Sequence, residues 1–336
     1  RCRRRARGRC RRVSSRRPGK VTVLAGGVGA ARLVRGLAPL VARGQLTIVV
    51  NTADDDVFYG LNVSPDIDTI VYTLAGLSDP VRGWGIAGDT FHGLAALRRY
   101  RRDAWFQLGD RDLATHLFRT ERLRAGDSLS QVTAHQTRSL GVAARVVPMT
   151  DDPVRTIVET TGGRRSFQEY LVRDRARETV RSLTYQGARS AKPAPGVLAA
   201  VEEASVIVIA PSNPLVSIAP ILAVPGVRQA LRRADAPIIA VSPLIGGRPV
   251  KGPADKMMRA LGVPPTPLGL ADFYQDVLDA IVIDTTDRPY VARLAARGVA
   301  ATCLDTLMRS LGRSTAVARA ALALGTAMRE RRHLAS

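Results

Sequence analysis

The sequence has very few cysteine and histidine residues, the side chains that build disulfide frameworks and transition-metal sites. Its 336 residues include three cysteines, two of them within the first ten positions, and four histidines. Cysteines at this spacing indicate neither a disulfide framework nor a metal site. Because a chain without disulfides is typical of a reducing compartment, we expect a cytoplasmic protein.

Long apolar runs are equally scarce. No stretch of the sequence approaches the roughly 18 consecutive apolar residues of a transmembrane helix, so no membrane span is expected. Hydrophobic residues nevertheless make up 46% of the chain. That share is enough for one large core or two smaller ones.

Acidic residues are absent from the first 20 positions, where eleven Lys or Arg residues are concentrated. The rest of the chain has 39 basic and 29 acidic residues, so about half of the net charge of +21 comes from this segment. The segment has no apolar run and is not a secretory signal. We expect residues 1–20 to be a disordered or misassigned extension before a single domain over residues 21–336. The alternative is a polyanion-binding arm.

A strand, a glycine-rich turn, a helix and a second strand open this domain. Val21–Leu24 and Leu46–Val50 are apolar runs that predict buried strands. Ala30–Arg43 has the apolar spacing of a helix. In a parallel sheet the glycine turn and the acidic turn after the second strand leave from the same edge and face one crevice.

The glycine turn departs from both well-known phosphate-binding patterns. Read from Gly27 as G-x-G-x-x-G, its last position is Arg32, and the Gly-Lys-Ser/Thr of a P-loop is missing. The backbone amides of Gly26, Gly27 and Gly29 can still hold a phosphate at the helix start, with Arg32 adding positive charge. The alternative is a tight turn that serves only helix–strand packing.

Five carboxylates lie close together in the chain after the second strand. They are Asp54, Asp55, Asp56, Asp66 and Asp68, with Ser64 expected to cap the helix that carries the last two. Without histidine or cysteine among them, these oxygen ligands favour Mg²⁺ over a transition metal. For Asp66 the alternative is plain helix capping.

Residues 60–140 are predicted to form a helical insertion, since the stretch is too long for an ordinary loop between a strand and a helix. Trp84 lies in a glycine-rich loop of this insertion, where it either fills the core or stacks on a planar ligand. Asp89 is placed to cap a helix that runs to Tyr100. We expect the insertion to shape the pocket of an acceptor substrate.

The second half of the chain returns to strands alternating with helices. Val206–Ala210 and Pro237–Val241 are buried apolar strands, each followed by a loop of small and polar residues. Such alternation predicts an α/β fold, a Rossmann-like, doubly wound and mostly parallel sheet. Loops 26–32, 51–56, 211–217 and 242–251 are then expected at one sheet edge. The charged segment Arg164–Arg177 is predicted to be helical.

This set of residues suits phosphoryl transfer. No nucleophile–His–Asp arrangement can be defended from the spacing. Transfer of a phosphoryl group to a hydroxyl needs positioning, charge neutralisation and a carboxylate that accepts the proton of the hydroxyl.

Eight blocks of the sequence, in order over residues 21–260, resemble one family. They are GGVGAARLVRGL, VVNTADDDVFYGLNVSPDIDTIVYTLAG, WGIAGDTF, LGDRDLATHLFRT, PMTDDPV, FQEYLV, APSNPLVSI and SPLIGGRPVKGPA. Together they resemble the 2-phospho-L-lactate transferase (phosphoenolpyruvate transferase) family of coenzyme F-420 biosynthesis.

The resemblance implies a Rossmann-like core, often in homodimers, and a reaction assisted by Mg²⁺. The donor would be a guanosine diphosphate-activated phospholactate or enolpyruvyl phosphate, and the acceptor the deazaflavin Fo. The ribityl hydroxyl of Fo would attack the phosphorus that bears the three-carbon acid, and GMP would leave. The Arg- and Ala-rich composition suggests a high-GC bacterium and favours the enolpyruvyl donor.

The resemblance also implies roles for residues that match its motifs. Those of the donor and nucleotide site would be Gly26, Gly27, Gly29, Arg32, Ser212, Asn213, Ser217, Gly246, Gly247 and Lys251. Those of the Fo site would be Asp68, Trp84, Asp89 and Gln107, although the family often has a basic residue in place of Gln107. Asp54 and Asp68 would be catalytic, and the Mg²⁺ ligands would come from Asp54, Asp66 and Asp68.

Two other classes of protein stay open. A sugar-nucleotide-binding regulator on the related gluconeogenesis-factor-like fold would share the glycine turn, but WGIAGDTF and LGDRD favour the transferase. A nucleic-acid-binding protein is suggested only by the basic charge.

Overall fold

The structure, a computed structural model, describes residues 19–335. The strands in this part of the chain are β1 (Val21–Ala25), β2 (Leu46–Val50), β3 (Asp56–Phe58), β4 (Leu61–Val63), β5 (Arg145–Pro148), β6 (Arg155–Thr160), β7 (Gly163–Ser166), β8 (Val180–Gln186), β9 (Val206–Ile209), β10 (Ile238–Val241), β11 (Leu244–Ile245), β12 (Arg248–Pro249), β13 (Ala280–Asp284) and β14 (Ala300–Leu304).

The α-helices in the same residues are α1 (Gly27–Leu37), α2 (Pro65–Leu74), α3 (His92–Leu97), α4 (Asp112–Arg124), α5 (Leu129–Ser139), α6 (Val197–Glu202), α7 (Ala219–Ala223), α8 (Val227–Arg233), α9 (Ala254–Ala260), α10 (Pro267–Phe273), α11 (Val291–Ala295) and α12 (Leu311–Ala335). Short π-helices cover Glu169–Arg173 and Pro214–Ile218, and 3-10 helices cover Ala188–Ser190 and Thr285–Tyr290. The predictions for the basic extension fall, except for Gly19 and Lys20, outside the described residues.

A seven-stranded sheet lies at the centre, with the order β14-β13-β10-β9-β1-β2-β5. All neighbouring strands in it are parallel; Leu24, for example, lies opposite Val49 on one side and Ile209 on the other. Its inner strands are continuous apolar runs because helices cover both faces. The predicted doubly wound, mostly parallel α/β fold is confirmed.

Two apolar layers cover the two faces of the sheet. One contains Leu33 of α1, Ile70 of α2 and Val317 of α12, and the other contains Met257 of α9 and Leu294 of α11. Helices α1 and α12 cross closely, since a Cβ on residue 36 would lie 2.3 Å from the backbone of residue 314. A glycine is therefore needed where these helices meet.

The chain between β2 and β5 forms the insertion, which consists of the β3–β4 hairpin and helices α2 to α5. Ser64 precedes α2 as expected, but its hydroxyl donates to Oδ2 of Asp55 (2.5 Å) and does not cap the helix. Helix α3 is shorter than predicted and ends at Leu97. Its cap is the carboxylate of Asp110, not that of Asp89, and it accepts the backbone N–H groups of residues 92 and 93 at 2.8 Å.

A three-stranded antiparallel sheet, in the order β7-β6-β8, follows β5. The prediction of a helix over Arg164–Arg177 is wrong for its first part, because residues 163–166 pair with β6 as β7. Only Glu169–Arg173 is helical, as a short π-helix. Strand β7 reads GRRS and lies largely exposed, so its sequence carries none of the apolar alternation that predicts a strand.

Within residues 19–335, no single helix combines the length and the apolar composition of a membrane span. One pair, Pro214–Ala223 and Val227–Arg233, meets both criteria together but is bent by 87°. Ile218, Ile221 and Val227 of this pair lie in the apolar layer described above.

Candidate active site

The candidate site lies where the strand order reverses. Strands β1 and β9 are neighbours in the sheet. Strands β2 and β5 lie beyond β1, and strands β10, β13 and β14 lie beyond β9 in the opposite direction. The loops that follow β1 and β9 therefore diverge at the carboxyl edge, where doubly wound sheets bind ligands. Ser212 joins the two loops, because its hydroxyl donates to the carbonyl of Gly26 (2.8 Å) and accepts the N–H of the same residue (3.2 Å).

The glycines of the turn are required by close approach and by backbone conformation. A Cβ on Gly26 would lie 2.6 Å from Oδ2 of Asp66 and 2.7 Å from Cβ of Ser217. A Cβ on Gly29 would lie 2.3 Å from the carbonyl oxygen of Pro211, and Gly27 has a φ of +73°. The turn thus serves packing between the two halves of the sheet, and its lack of side chains lets the Asp66 carboxylate reach the first backbone N–H of helix α1.

Asp66 and Asp54 lie beside the start of α1, and Asp55 is a neighbour of Asp54. Asp66 accepts the N–H of Gly27 (2.8 Å) and the side-chain amide of Asn51 (3.0 Å). Asp54 is 6% exposed, and its Oδ1 has no hydrogen-bond partner within the described chain. Oδ1 of Asp55 is likewise buried and unpaired there. The site therefore concentrates negative charge that nothing in residues 19–335 fully neutralises.

Burial is the main cause that raises the pKa values of these three carboxylates. Burial raises the pKa of Asp54 well above its usual range, and the charges of Asp66 and Asp55 raise it further. Burial raises the pKa of Asp66 to about 6 and that of Asp55 to about 8. Such shifts are typical of functional sites.

A divalent cation fits this cluster. Within residues 19–335, no group of three or more His, Cys, Asp or Glu side chains is arranged to hold a metal ion by itself. Mg²⁺, however, is commonly held by one or two carboxylates together with water and substrate phosphates. Asp54, with its unpaired buried oxygen, and the neighbouring Asp66 can supply those two carboxylates.

Asp68 has a different environment from the other carboxylates. The guanidinium of Arg119 makes a two-pronged ion pair with it, with Nη1 3.0 Å from Oδ2 and Nη2 on Oδ1. The side-chain amide of Gln136 donates to Oδ1 (3.1 Å). Burial raises the pKa of Asp68, but the charge of Arg119 and these hydrogen bonds hold it below the usual value. Asp68 is thus a fixed, ionised carboxylate.

A cavity of about 580 Å³ opens beside these residues. Its polar end is formed by the glycine turn, Asp54, Asp66 and Asp68. Its walls are mostly apolar and aromatic, and include Trp84, Phe106, Leu108, Phe167, Leu171 and Val172. Phe106 is held by Phe58, whose ring stacks on it with centroids 3.7 Å apart. The cavity can take a planar ring at its apolar end and a reacting polar group at its acidic end.

A second cavity of about 160 Å³ lies on the other side of the start of α1. Arg32 and Lys251 both line it, and burial followed by the charge of Arg32 lowers the pKa of Lys251. Nζ of Lys251 donates to the carbonyl of Arg82 (2.6 Å). Both cavities are lined by Val28, Asn213 and Lys251, so they adjoin along the start of α1. The small cavity suits an anionic ligand.

The structure brings together most of the residues that the sequence singled out. The large cavity is lined by Gly26, Gly27, Asp54, Asp66, Asp68, Trp84, Gln107, Asn213, Ser217 and Lys251. The small cavity is lined by Gly29, Arg32, Asn213 and Lys251. Four of the predicted residues line neither cavity, namely Asp89, Ser212, Gly246 and Gly247.

The residues outside both cavities have other contacts. Ser212 lies behind the glycine turn, as described above. Gly246 and Gly247 make the tight β11–β12 turn, and the N–H of Gly246 points to Oδ2 of Asp287 (3.2 Å). Asp89 accepts the backbone N–H groups of Arg111 (2.8 Å) and Asp112 (3.0 Å), so its carboxylate caps α4.

Several site residues were missed by the sequence reasoning. Arg119 and His116 lie three residues apart on α4 in the block LGDRDLATHLFRT, a spacing that places them on one face of the helix. A search for the cation that a buried Asp68 requires could have found Arg119. Phe106, Phe167 and Leu171 could not be assigned to the site from the sequence. An apolar residue that lines a cavity has the same sequence pattern as a residue of the core.

This fold and site define a class of protein, the α/β proteins with a doubly wound sheet and a cavity lined by Arg and Lys at its switch point. Within that class, the profile of the family described as 2-phospho-L-lactate transferase CofD matches residues 21–320. The chain belongs to this family, and it is therefore a transferase.

Two relatives agree with this assignment, and a solved structure agrees with the fold. The chain is 44% identical over 317 residues to a protein of Streptomyces coelicolor named phosphoenolpyruvate transferase, covering 93% of this chain and 99% of the relative. It is 39% identical over 296 residues to a 2-phospho-L-lactate transferase of Methanosarcina mazei, covering 88% and 97%. A crystal structure of a UPF0052 family protein from Bacillus halodurans matches with a TM-score of 0.58 at 18% identity, covering 91% and 99%, and supports the fold alone.

Proposed function

We propose that the protein transfers an enolpyruvyl-phosphate or 2-phospho-L-lactyl group from a guanosine diphosphate-activated donor to the ribityl hydroxyl of the deazaflavin Fo, releasing GMP. Membership of the family supports transfer of one of these groups in coenzyme F-420 biosynthesis. The observation that carries the proposal is the pair of adjoining cavities, one cationic and one aromatic, which meet beside a cluster of carboxylates.

The donor is assigned to the start of α1 and the small cavity. A diphosphate there would face the first backbone amides of α1 and the side chains of Arg32 and Lys251. Asn213 borders both cavities and lies where the donor would cross from one to the other. With Ser217, it would position the donor, and Gly246 and Gly247 would act through the shape of their loop.

Mg²⁺ is assigned to Asp54 and Asp66. When bound, the ion would neutralise charge on the diphosphate and draw electron density from the phosphorus under attack. Asp66 would be held in place by the side-chain amide of Asn51 and by the N–H of Gly27. Because the pKa values of both carboxylates are raised, binding of the cation would also release their protons.

The acceptor is assigned to the large cavity. Its planar ring would lie between Trp84, Phe106 and Leu171, and its chain would extend toward the acidic end. Asp68, kept ionised by Arg119, would accept a hydrogen bond from the attacking hydroxyl and orient its lone pair toward the donor phosphorus. Gln107 lines the same cavity and would contact the ring.

The relatives favour the enolpyruvyl donor over the lactyl donor. The Streptomyces coelicolor relative, named phosphoenolpyruvate transferase, shares more identity with this chain than the Methanosarcina mazei phospholactate transferase does. We also propose a cytoplasmic homodimer, which sedimentation of the purified protein tests for its assembly state.

A transfer assay tests the proposed function. The protein is incubated with Fo, Mg²⁺ and either activated donor, and the products are weighed by mass spectrometry. We expect an Fo adduct and GMP, formed faster with the enolpyruvyl donor. Absence of an adduct with both donors would overturn the proposal. Competition of UDP-sugars in a titration followed by Fo fluorescence would instead favour a sugar-nucleotide-binding regulator.

A further inference from the structure

The floor of the large cavity is formed by two facing rows of buried polar side chains. Asp68 and Tyr72 lie one turn apart on α2, and Asp112 and His116 lie one turn apart on α4. All four line the cavity, and each is less than 10% exposed. Apolar packing does not explain such a row, because each polar group removed from water needs a partner.

The contacts of His116 fix the position of its ring proton. Its Nδ1 lies 3.3 Å from Nη1 of Arg119, and a guanidinium nitrogen can only donate. Nδ1 must therefore offer its lone pair to Arg119. In the neutral ring, the N–H is then at Nε2.

The Nε2–H group has no hydrogen-bond partner within residues 19–335. It lies 3.3 Å from Oδ1 of Asp112, but without hydrogen-bond geometry, and that oxygen already accepts the hydroxyl of Tyr72 at 2.6 Å. His116 is only 1% exposed, so a partner for this donor has to come from the cavity that the residue lines. Leaving a buried donor unpaired destabilises the protein, and a ligand that accepts its hydrogen bond in the cavity recovers that free energy.

The place of His116 in the cavity indicates which part of a ligand it meets. Nδ1 of His116 lies 3.8 Å from Oδ2 of Asp68, the carboxylate assigned to the attacking hydroxyl. The aromatic walls that suit a planar ring are formed by other segments, around Trp84, Phe106 and Phe167. A hydroxyl next to the attacking one on a polyol chain would therefore lie over the polar floor, where an acceptor for Nε2–H is needed.

We propose that His116 is a specificity-determining residue that donates its Nε2–H to a hydroxyl of the polyol chain of the acceptor, adjacent to the hydroxyl that attacks. The proposal rests on the proposed function, which assigns the large cavity to a planar acceptor with such a chain. Arg119 has a double role in it, because the same guanidinium holds Asp68 ionised and occupies Nδ1 of His116, which leaves the ring proton at Nε2.

Fluorescence titration of the full chain with three deazaflavins tests this role. The first carries the complete ribityl chain, the second lacks the hydroxyl next to the terminal one, and the third has a methyl group in place of the chain. The wild-type protein is expected to bind the second compound about tenfold more weakly than the first. Equal affinity for these two compounds would overturn the proposal without any variant.

His116→Met removes the donor and nearly keeps the shape of the side chain. It should weaken binding of the complete compound about tenfold, leave the methyl compound unchanged and no longer distinguish the first two compounds. His116→Gln, whose amide can donate from a similar place, should restore much of the preference. The matched control is His135→Met, which changes an exposed histidine of α5 packed on Phe118.

The outcomes separate this proposal from the proposed function. If His116→Met binds the first two compounds with the wild-type difference, or loses affinity for all three equally, His116 is not the specificity determinant although the acceptor site stands. If the wild-type protein binds none of the three compounds, the proposed function fails and this inference fails with it.

Discussion

At Asp54, the features that suit ligand binding are also the ones that lower the stability of the fold. Its carboxylate is buried beside Asp66 and Asp55, and Oδ1 is unpaired within residues 19–335. Such an arrangement costs folding free energy and is kept at functional sites where a ligand supplies the missing partner. Replacing the carboxylate of Asp54 by a neutral group should therefore change activity and stability in opposite directions.

Asp54→Asn is expected to abolish transfer and to stabilise the cation-free protein. The amide removes the repulsion from Asp66, and each kcal/mol recovered should raise the Tm by roughly 2–4 °C. Activity assays and thermal melts with a chelator present measure the two effects. Asp103→Asn, which removes a surface charge paired with Arg101, is the control and should change neither quantity much. A variant with a lowered Tm and retained transfer would contradict the assignment.

The raised pKa values also predict how stability depends on pH. Burial raises the pKa of Asp66 to about 6 and that of Asp55 to about 8 in the folded chain, against an ordinary value of 3.8 for aspartate. The folded chain then binds more protons than the unfolded chain between about pH 4 and about pH 8, so the free energy of unfolding falls as pH rises through that window.

Thermal melts across this window, with a chelator or with Mg²⁺, measure the effect. We expect the Tm to fall with rising pH when the cation is absent, and to fall less when it is present, because the ion binds the ionised carboxylates. Asp55→Asn should flatten the chelator curve. The contradicting result would be a Tm of the wild type that rises, relative to that of Asp55→Asn, from about pH 4 to about pH 8 without the cation. It would show that the pKa values of these carboxylates are not raised.

At the scale of elements, helix α1 packs closely against the loop after β9 because Gly29 has no side chain. Gly29→Ala places a Cβ 2.3 Å from the carbonyl of Pro211, and the backbone must shift. We expect a loss of about 1–3 kcal/mol of stability, typical of overpacking, in addition to any loss of donor binding.

Gly312→Ala in α12 is the matched change, since its Cβ would meet only Oγ of Ser310 at 3.9 Å. Chemical denaturation of both variants compares the two helices. Gly312→Ala should be neutral or stabilising by up to about 1 kcal/mol, because alanine favours a helix over glycine. Equal stability of the two variants would contradict the close approach of α1 to the loop after β9.

Helix α4 depends on a cap from outside its own segment. Asp89 accepts two backbone N–H groups at its start, and Gly109 leaves room for this carboxylate, since a Cβ there would lie 2.2 Å from it. Asp89→Ala should cost about 0.5–2 kcal/mol of stability. Asp89→Asn, which keeps an acceptor oxygen, should cost less.

Fo binding at a temperature where both Asp89 variants are folded separates capping from contact with the ligand. We expect affinities close to that of the wild type, because Asp89 does not line the cavity. A large loss of affinity in a well-folded Asp89→Asn variant would instead support the direct contact that the family resemblance implies.

The elements that could be predicted from the sequence are those with a local signal. Buried runs such as Val206–Ile209 lie in the predicted places, and the loops after β1 and β9 meet as the parallel sheet requires. Strand β7 could not be predicted, because its charged residues pair as an edge strand only in the presence of β6. The ion pair of Asp68 with Arg119 joins residues 51 positions apart, and no spacing rule reaches that far.

At the scale of the whole molecule, the switch point explains why one site can bring two substrates together. The proposed donor residues come from the loops after β1, β9 and β10, and the proposed acceptor cavity is closed by the insertion and by the segment around Phe167. The two groups meet at the start of α1. In the proposed arrangement the acceptor hydroxyl would reach the donor phosphorus directly, and water would not be a reactant.

Direct transfer of the acid-bearing phosphoryl group from the donor to Fo is tested by the isotopic composition of the products. The protein, Fo, Mg²⁺ and the enolpyruvyl donor are allowed to react in water enriched in the heavy oxygen isotope, and both products are weighed by mass spectrometry. The account predicts equal amounts of Fo adduct and GMP, with no heavy oxygen in either. GMP released without adduct, or heavy oxygen in the products, would contradict it.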